Sequence, residues 1–412
     1  MATPLADAPY CNPFESALAT DPDGNALGSP LFTDLRRQVA DLSEQSPVLR
    51  TDMGALVTGY DEVHTALGDK RLRSGIPELI GLQGLPEDAA GAGIANSVLA
   101  AEGPRHIRLR RLVTKSLTPR AVEVQRPLIA TIANELIDAF DPDGCEFMSA
   151  FADHLPIRVI SHILGVPDAD HTEFARWNQA MTWMLSLQVA EHADEIQWGL
   201  GNMVDYVTGL VQDRTENPRD DLVTSLLKVG REEPQYEDGD VEHMIMAMLF
   251  AGHDTTRNQL GLSMWLFATY PEQWQHLRDD PALTDQAVDE VLRFKGAVDA
   301  APRFATQDVE LGGYVIPAGT FVTVGLGHSN LDPATFEDPM TFDVCPMRES
   351  MNTFGGGRHY CLGANLARAE LQEAFTALAT RFAVIELAGD PVWRPPIGIY
   401  GPDRMPLAFT SA

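Results

Sequence analysis

Phe354-Gly355-Gly356-Gly357-Arg358-His359-Tyr360-Cys361-Leu362-Gly363 is the stretch that decides how this chain is read. It sets a phenylalanine, a run of glycines, two basic side chains and one cysteine side by side. Glycine tolerates positive φ and lets the backbone approach a bulky object closely. A cysteine on such a loop suits a thiolate axial ligand to heme iron. The alternative is a structural cysteine buried after a glycine-rich turn, a common place for a free thiol. A thiolate needs positive potential or hydrogen-bond donors around it. The loop offers backbone N–H groups, and a helix expected from Leu362 to Arg381 aims its partial positive end at the sulfur. Phe354 is expected to pack beside the ligand and limit water, and His359 to reach an anionic heme propionate.

Working outward, Val241 to Tyr270 reads as the longest helix, with Asp240 as its cap and Pro271 as its stop. Its middle carries Ala251-Gly252-His253-Asp254-Thr255-Thr256. An acid beside an alcohol in an apolar helix costs free energy unless something uses them. Gly252 costs about 1 kcal/mol relative to alanine in a helix interior. It suits a place where a flat ligand or O2 approaches the backbone. Threonine hydroxyls bond the preceding turn and bend helices. The functional reading is a distorted turn, with Thr255 hydrogen-bonding dioxygen and Asp254 relaying protons. The competing reading is a polar patch against a neighbouring helix, and His253 carries no assigned chemistry.

In Glu290-Val-Leu-Arg293, on a helix expected from Thr284 to Phe294, the i, i+3 spacing puts carboxylate and guanidinium on one face. It reads as a buried structural pair whose hydrogen bonds a later loop completes, supporting the cysteine loop. His106 and Arg110 lie one helical turn apart, and Arg303 follows Pro302. With His359 these could neutralise two propionates, although each alone reads equally well as a surface charge. Arg108, Arg110, Arg111, Lys115 and Arg120 form a basic cluster that suits docking of an acidic redox protein.

The rest of the composition sets bounds. Net charge is −29, from 30 basic and 59 acidic residues, which disfavours nucleic acid and anionic membrane surfaces as partners. Cys11, Cys145, Cys345 and Cys361 form no CxxC pair and no zinc spacing, so scattered thiols in a reducing compartment are expected. The N-terminus shows no basic and apolar leader, and no run of about eighteen apolar residues occurs. A soluble, cytoplasmic protein without a membrane span is the expectation. A length of 412 residues allows two or three domains. No linker, repeat or low-complexity stretch divides the chain, so one large domain, 1–412, is favoured, with residues 1–30 irregular. Val48–Val57 reads as two short strands about a turn, residues 99–293 as mostly helical, and Asp308–Val324 as a small antiparallel sheet. Short strands and turns are expected after Val392. The fold class is mainly α with a minor antiparallel β-sheet region.

In this order the elements resemble the cytochrome P-450 family of heme-thiolate monooxygenases, from about Pro13 to the C-terminus. The cysteine loop is similar to the family's heme signature at Phe354, Gly357, His359, Cys361 and Gly363. Ala251–Thr256 resembles the acid–alcohol element of the oxygen-binding helix, and Glu290 with Arg293 the E-x-x-R element. Asn330, Asp332, Pro333, Phe336, Pro339, Phe342 and Asp343 resemble the meander before the heme loop. The likeness is greatest to soluble bacterial members. It implies the cytochrome P-450 fold, heme b (iron protoporphyrin IX) ligated by Cys361, and propionates held by His106, Arg110, Arg303 and His359. It further implies a monomer that takes O2, a hydrophobic small molecule and electrons from NAD(P)H through a ferredoxin and its reductase.

The resemblance draws the substrate pocket from Leu72–Val98, Met181–Val189, Ala247–Thr255, Ala297–Ala301 and Ile397–Tyr400, with Ala247, Ala251, Val298, Asp299, Ile397 and Ile399 as candidate contacts. Helices around residues 175–205 are expected to gate it. Departures are Asp254 where many members have Glu, Arg358 where an apolar residue is common, and Asp299 where neutral residues are common. Arg358 reads as facing a redox partner or the surface. Asp299 reads as an anchor for a cationic or hydroxylated substrate, as a turn cap, or as outward-facing. A peroxygenase or isomerase on the same fold, and a non-catalytic heme sensor, are the alternative functions; Asp254 and Thr255 argue against the former.

Overall fold

A helix buried on every side belongs in the middle of a protein, not on its surface. Asp240–Thr269 is such a helix, with most of its side chains buried. In chain order the helices that position the site are α1 (Tyr60–Gly68), α2 (Gly103–Thr114), α3 (Pro119–Asp138), α4 (Leu155–Leu164), α5 (His171–Thr182), α6 (Ala193–Glu216), α7 (Asp240–Thr269), α8 (Thr284–Phe294) and α9 (Ala364–Arg381). The computed structural model describes residues 2–11, 39–81, 97–141, 144–185, 189–232, 236–348, 350–394 and 398–412.

Around α7 one large apolar cluster unites the helical part, including Phe151, Leu249, Leu262, Phe267 and Phe375. Helices α4 and α5 pack on one side of α7, and α9 lies between α3 and α8. A second, smaller core of Val57, Val63, Leu67, Val322 and Val324 fixes α1 to the sheet. Side chains of this kind stabilise by roughly 1.5–3 kcal/mol each when fully buried.

The sheets are small. Strands β2 (Val48–Thr51), β3 (Gly54–Val57), β4 (Leu72–Ser74), β6 (Ala300–Ala305) and β9 (Phe321–Gly325) make one sheet in the order β2-β3-β9-β6-β4. Strand β1 (Thr3–Pro4) pairs in parallel with β8 (Tyr314–Ile316), which forms a hairpin with β7 (Val309–Leu311). Strand β13 (Pro406–Ser411) lies between β10 (Phe382–Leu387) and β5 (Cys145–Glu146). The hairpin β11 (Val392–Trp393)–β12 (Pro402–Arg404) packs against α7.

Several expectations need correction. Gly239, with φ 86°, is the N-cap of α7; Asp240 stands in the first turn, where its carboxylate accepts from Glu237 N at 3.0 Å and Arg108 Nε at 2.6 Å. An Asp able to meet both a nearby amide and an arginine from α2 is used up before it can cap. Helix α7 is continuous across this turn, and Thr255 Oγ1 donates to Ala251 O at 2.7 Å, the expected back-bond to the preceding turn. Gly252 is approached by Ile160 of α4, whose Cγ1 would lie 3.2 Å from an added Cβ, so its small size serves helix packing. The Asp308–Val324 stretch splits: β7 and β8 form a hairpin, while β9 joins the larger sheet, in parallel with β3. The first residues are not wholly irregular, since Thr3–Pro4 pairs with Tyr314–Val315; most of the remainder of 1–30 lies outside the described residues. Among the described residues no helix is long and apolar enough to cross a membrane.

Candidate active site

The cysteine loop is built by local hydrogen bonds. Gly355 N donates to Asn352 O at 2.8 Å, Tyr360 N to Gly357 O at 3.2 Å, and Cys361 N to Phe354 O at 2.9 Å. Gly357 has φ +59°, and an added Cβ would fall onto the Leu67 carbonyl at the end of α1, so this position demands glycine twice over. Helix α9 starts at Ala364, three residues after Cys361, so the sulfur meets a helix N-terminus. Burial pushes the Cys361 thiol up; the N–H groups of Gly363 and Ala364 and the Arg110 guanidinium favour the thiolate. Cys361 is accessible in this structure, yet it is set deep enough among protein atoms for desolvation to act on its thiol. Arg368 stacks over the Phe354 ring at 5.2 Å.

Beneath the loop, Glu290 and Arg293 form a pair with no exposed surface, Nε to Oε2 at 2.7 Å and Nη2 to Oε1 at 2.7 Å. The guanidinium also donates to Asn330 O, Pro339 O and Thr341 O at 2.9–3.1 Å. Asn330 carries the support onward: its side chain donates to Thr353 Oγ1 at 2.7 Å and accepts from Asn352 N at 2.8 Å, at the entrance to the cysteine loop.

The dispersed cations converge. The rings of His106 and His359 lie 4.5 Å apart. Arg110 donates to Tyr360 O at 2.8 Å. Arg303 is buried, and its guanidinium donates to Pro302 O at 2.9 Å. Desolvation, with the repulsion of Arg358, depresses its pKa to about 10. The sequence reading missed the acid of this cluster. Glu102 accepts from Ser74 N at 2.6 Å and His359 Nε2 at 3.2 Å, and pairs with Arg358 at 2.8 Å. The available signal was its position four residues before His106. Arg358 is not turned toward a partner: it folds inward to Glu102 and donates to Leu72 O at 3.0 Å.

Two histidines and three arginines thus share one acid, and buried His106 Nε2 has no hydrogen-bond partner. Such a cluster fits the two carboxylates of a heme, held above an accessible thiol. Of the basic patch on α2, Arg108 is spent on Asp240 and Arg110 on Tyr360 O, whereas Arg111, Lys115 and Arg120 are exposed.

On α7 one stripe is left open. Ala247 and Thr255 are half-buried and Ala251 is exposed, at i, i+4 and i+8 of a helix otherwise packed at its centre. Asp254, the neighbour of Thr255, turns away from this stripe and is fully buried. Val298 is half-buried and forms an isolated bridge with Ile399. Asp299 is half-buried, with Oδ2 3.8 Å from the ammonium of buried Lys295. Lys295 lies over the Tyr400 ring at 5.2 Å. Ile397 lies outside the described residues, as do parts of the stretches 72–98 and 181–189.

The profile of the cytochrome P-450 family matches residues 171–400. Luteothin monooxygenase of Streptomyces thioluteus is 35% identical over 388 residues, covering 93% of this chain and 95% of the relative. The 6-deoxyerythronolide B hydroxylase of Saccharopolyspora erythraea is 34% identical over 408 residues, covering 95% and 99%. Among solved structures, the cytochrome P-450 PksS of the bacillaene polyketide synthase of Bacillus subtilis superposes with a TM-score of 0.81 at 29% identity, covering 91% of this chain and 96% of its own.

Proposed function

We propose that this chain, which belongs to the cytochrome P-450 family and is a heme-thiolate monooxygenase, hydroxylates or epoxidises a bulky, mostly apolar natural product of polyketide type. The substrate class rests on likeness to a hydroxylase of 6-deoxyerythronolide B and to a cytochrome of polyketide biosynthesis. Electrons reach it from NAD(P)H through a ferredoxin and its reductase. The exposed cations Arg111, Lys115 and Arg120 give an acidic protein a place to dock on this otherwise acidic chain.

Heme, when bound, would supply activation of dioxygen. Cys361 would supply the thiolate ligand, stabilised by the amides of Gly363 and Ala364 and by Arg110. His106, Arg110, Arg303 and His359 would hold the propionates. Ala247 and Ala251 line an apolar wall that excludes water. Thr255 spends its hydroxyl proton on Ala251 O and keeps its lone pairs free to accept another. Asp254 supplies protons from behind the helix. This pairing favours a dioxygen-driven reaction over a peroxide-driven one, which needs no such relay. Asp299, already opposite Lys295, offers a hydrogen-bond acceptor whose charge is largely balanced, which suits a hydroxylated substrate better than an amine.

The observation that carries this reading is the accessible Cys361 thiol just before α9, beside Arg110, Arg303 and Arg358 with Glu102 as their acid. Reduced protein exposed to carbon monoxide should give the strongly red-shifted Soret band of thiolate ligation, and Cys361→Ala should lose it. A heme-loaded, folded wild type without that band would remove the assignment.

A further inference from the structure

The acid of the central helix has a partner that its own motif does not announce. Asp254 Oδ1 accepts from Arg394 Nη1 at 2.9 Å, across 140 residues of sequence. Arg394 is buried at the end of β11, and its Nε donates to Asp403 Oδ1 at 2.5 Å. The Asp403 carboxylate is partly open to solvent. A chain of charge therefore runs from the interior to the surface through the hairpin. Asp254 Oδ2, in contrast, is buried without a hydrogen-bond partner.

Other groups face Asp254, but each is otherwise engaged. On α7, Arg257 pairs with Asp153 and gives Nη1 to Asn258 Oδ1 at 3.0 Å and Pro402 O at 3.1 Å. His253, on the same helix, is kept neutral by desolvation and has Nε2 3.2 Å from Asp153 O. On α5, Thr182 donates its proton to Asn178 O at 3.1 Å. Burial alone would push the Asp254 carboxyl up; the charge of Arg394, aided by that of Arg257, holds it below the ordinary carboxylate range.

We propose that Arg394 is a positioning residue for Asp254: it fixes one carboxylate oxygen, keeps the group ionised, and leaves Oδ2 as the atom on which an incoming proton lands. This rests on the reading of Asp254 as the proton source. An ionised carboxylate must first accept a proton from solvent before passing it to the cavity, and it returns to the carboxylate when it does. The hairpin is held firmly enough for this task, since a Cβ on Gly401 would come within 2.5 Å of Asn258 Oδ1 on α7.

The test is infrared spectroscopy of the ferric holoenzyme at neutral pH, with Asp254→Asn variants as blanks. Wild type and Arg394→Lys should show no neutral-carboxyl band that disappears with Asp254→Asn. Arg394→Met should show one, and Arg394→Met/Asp254→Asn should lose it. Absence of the band in Arg394→Met, or its presence in wild type, overturns the proposal. Should Arg394→Met not fold, recovery of folding in Arg394→Met/Asp254→Asn supports a charge role, and continued failure overturns it in favour of packing. Proton delivery is read separately. NADH oxidation and peroxide release are followed with a surrogate ferredoxin and the macrolide giving the largest ferric Soret shift. If Asp254→Asn leaves their ratio unchanged, the relay reading fails while the infrared result still decides the role of Arg394.

Discussion

Among the buried arginine–carboxylate pairs of the described residues, Glu290–Arg293 and Asp254–Arg394 are built differently. Glu290 and Arg293 are three residues apart, and both carboxylate oxygens are engaged, Oε1 also accepting from Asp343 N at 3.0 Å. Asp254 and Arg394 are 140 residues apart in sequence, and one oxygen of the acid is left without a bond. A closed pair has no capacity to take up or release a proton; an open one does. The closed pair supports the cysteine loop through Asn330, and the open one lies on α7 behind Thr255, where the proposed function requires a proton to move.

The largest effect should come from opening the closed pair. Arg293→Met strands a buried carboxylate and removes the donors to Asn330 and the meander, so a loss of about 3–5 kcal/mol is expected, with failure to retain heme. Chemical denaturation and the heme-to-protein absorbance ratio check this. Arg293→Lys should rescue little, because an ammonium cannot replace the planar fork.

Next comes the open pair itself. Asp254→Asn should keep the fold and heme but lower kcat by on the order of 10²-fold, with more peroxide released per NADH. Its pH dependence follows from the depressed pKa. The ionised form stabilises the fold above the ordinary carboxylate pKa, and that contribution is lost as pH falls through the lower, folded value. Wild type should therefore lose more stability on acidification than Asp254→Asn; equal losses would mean the acid is not held ionised.

Gly401→Ala sharpens the comparison from the hairpin side. The added methyl meets Asn258 at 2.5–2.8 Å, so the hairpin must lift from α7, at a cost of about 1–3 kcal/mol. The unfolding midpoint should fall, and peroxide release should rise; a change in neither would show that the hairpin yields freely.

The smallest effect tests a buried acid with no arginine beside it. Glu370 on α9 is fully buried, and burial raises its pKa well above the ordinary value. Above the ordinary carboxylate pKa the unfolded chain ionises while the folded one resists, so stability falls as pH rises through that window. Glu370→Gln should remove this slope, with a gain near neutrality of about 1.4 kcal/mol for each unit of displacement. Below the ordinary carboxylate range the two proteins should match.

What could be read from the sequence was whatever is local. The cysteine loop, Glu290 with Arg293, and the ends of α8 are written within a few consecutive residues, by turn glycines or helical spacing. Partners brought together by tertiary folding were not legible. Arg394 stands in a tail of prolines and glycines, and nothing there points to Asp254. Glu102 is an unremarked acid before α2 until folding sets it between His359 and Arg358. Arg358 misled for the same reason: a charge on a loop looks solvent-bound until the opposing acid is known. Asp240 met the rule for a cap, but an arginine from α2 and a neighbouring amide outcompeted that role. The hydroxyl of Thr255 was legible as far as its bond to the preceding turn, which spacing alone dictates.

The same hairpin that carries Arg394 also carries the chain on to Ile399, which bridges to Val298 at the pocket wall. Under the proposed assignment of the pocket, the ribbon holding Arg394 and Ile399 would meet both the substrate and the cation beside the acid. On this reading, a molecule too large for the chamber does more than bind poorly. By shifting the ribbon it detunes the proton supply, and its signature is squandered reducing equivalents even when occupancy is complete.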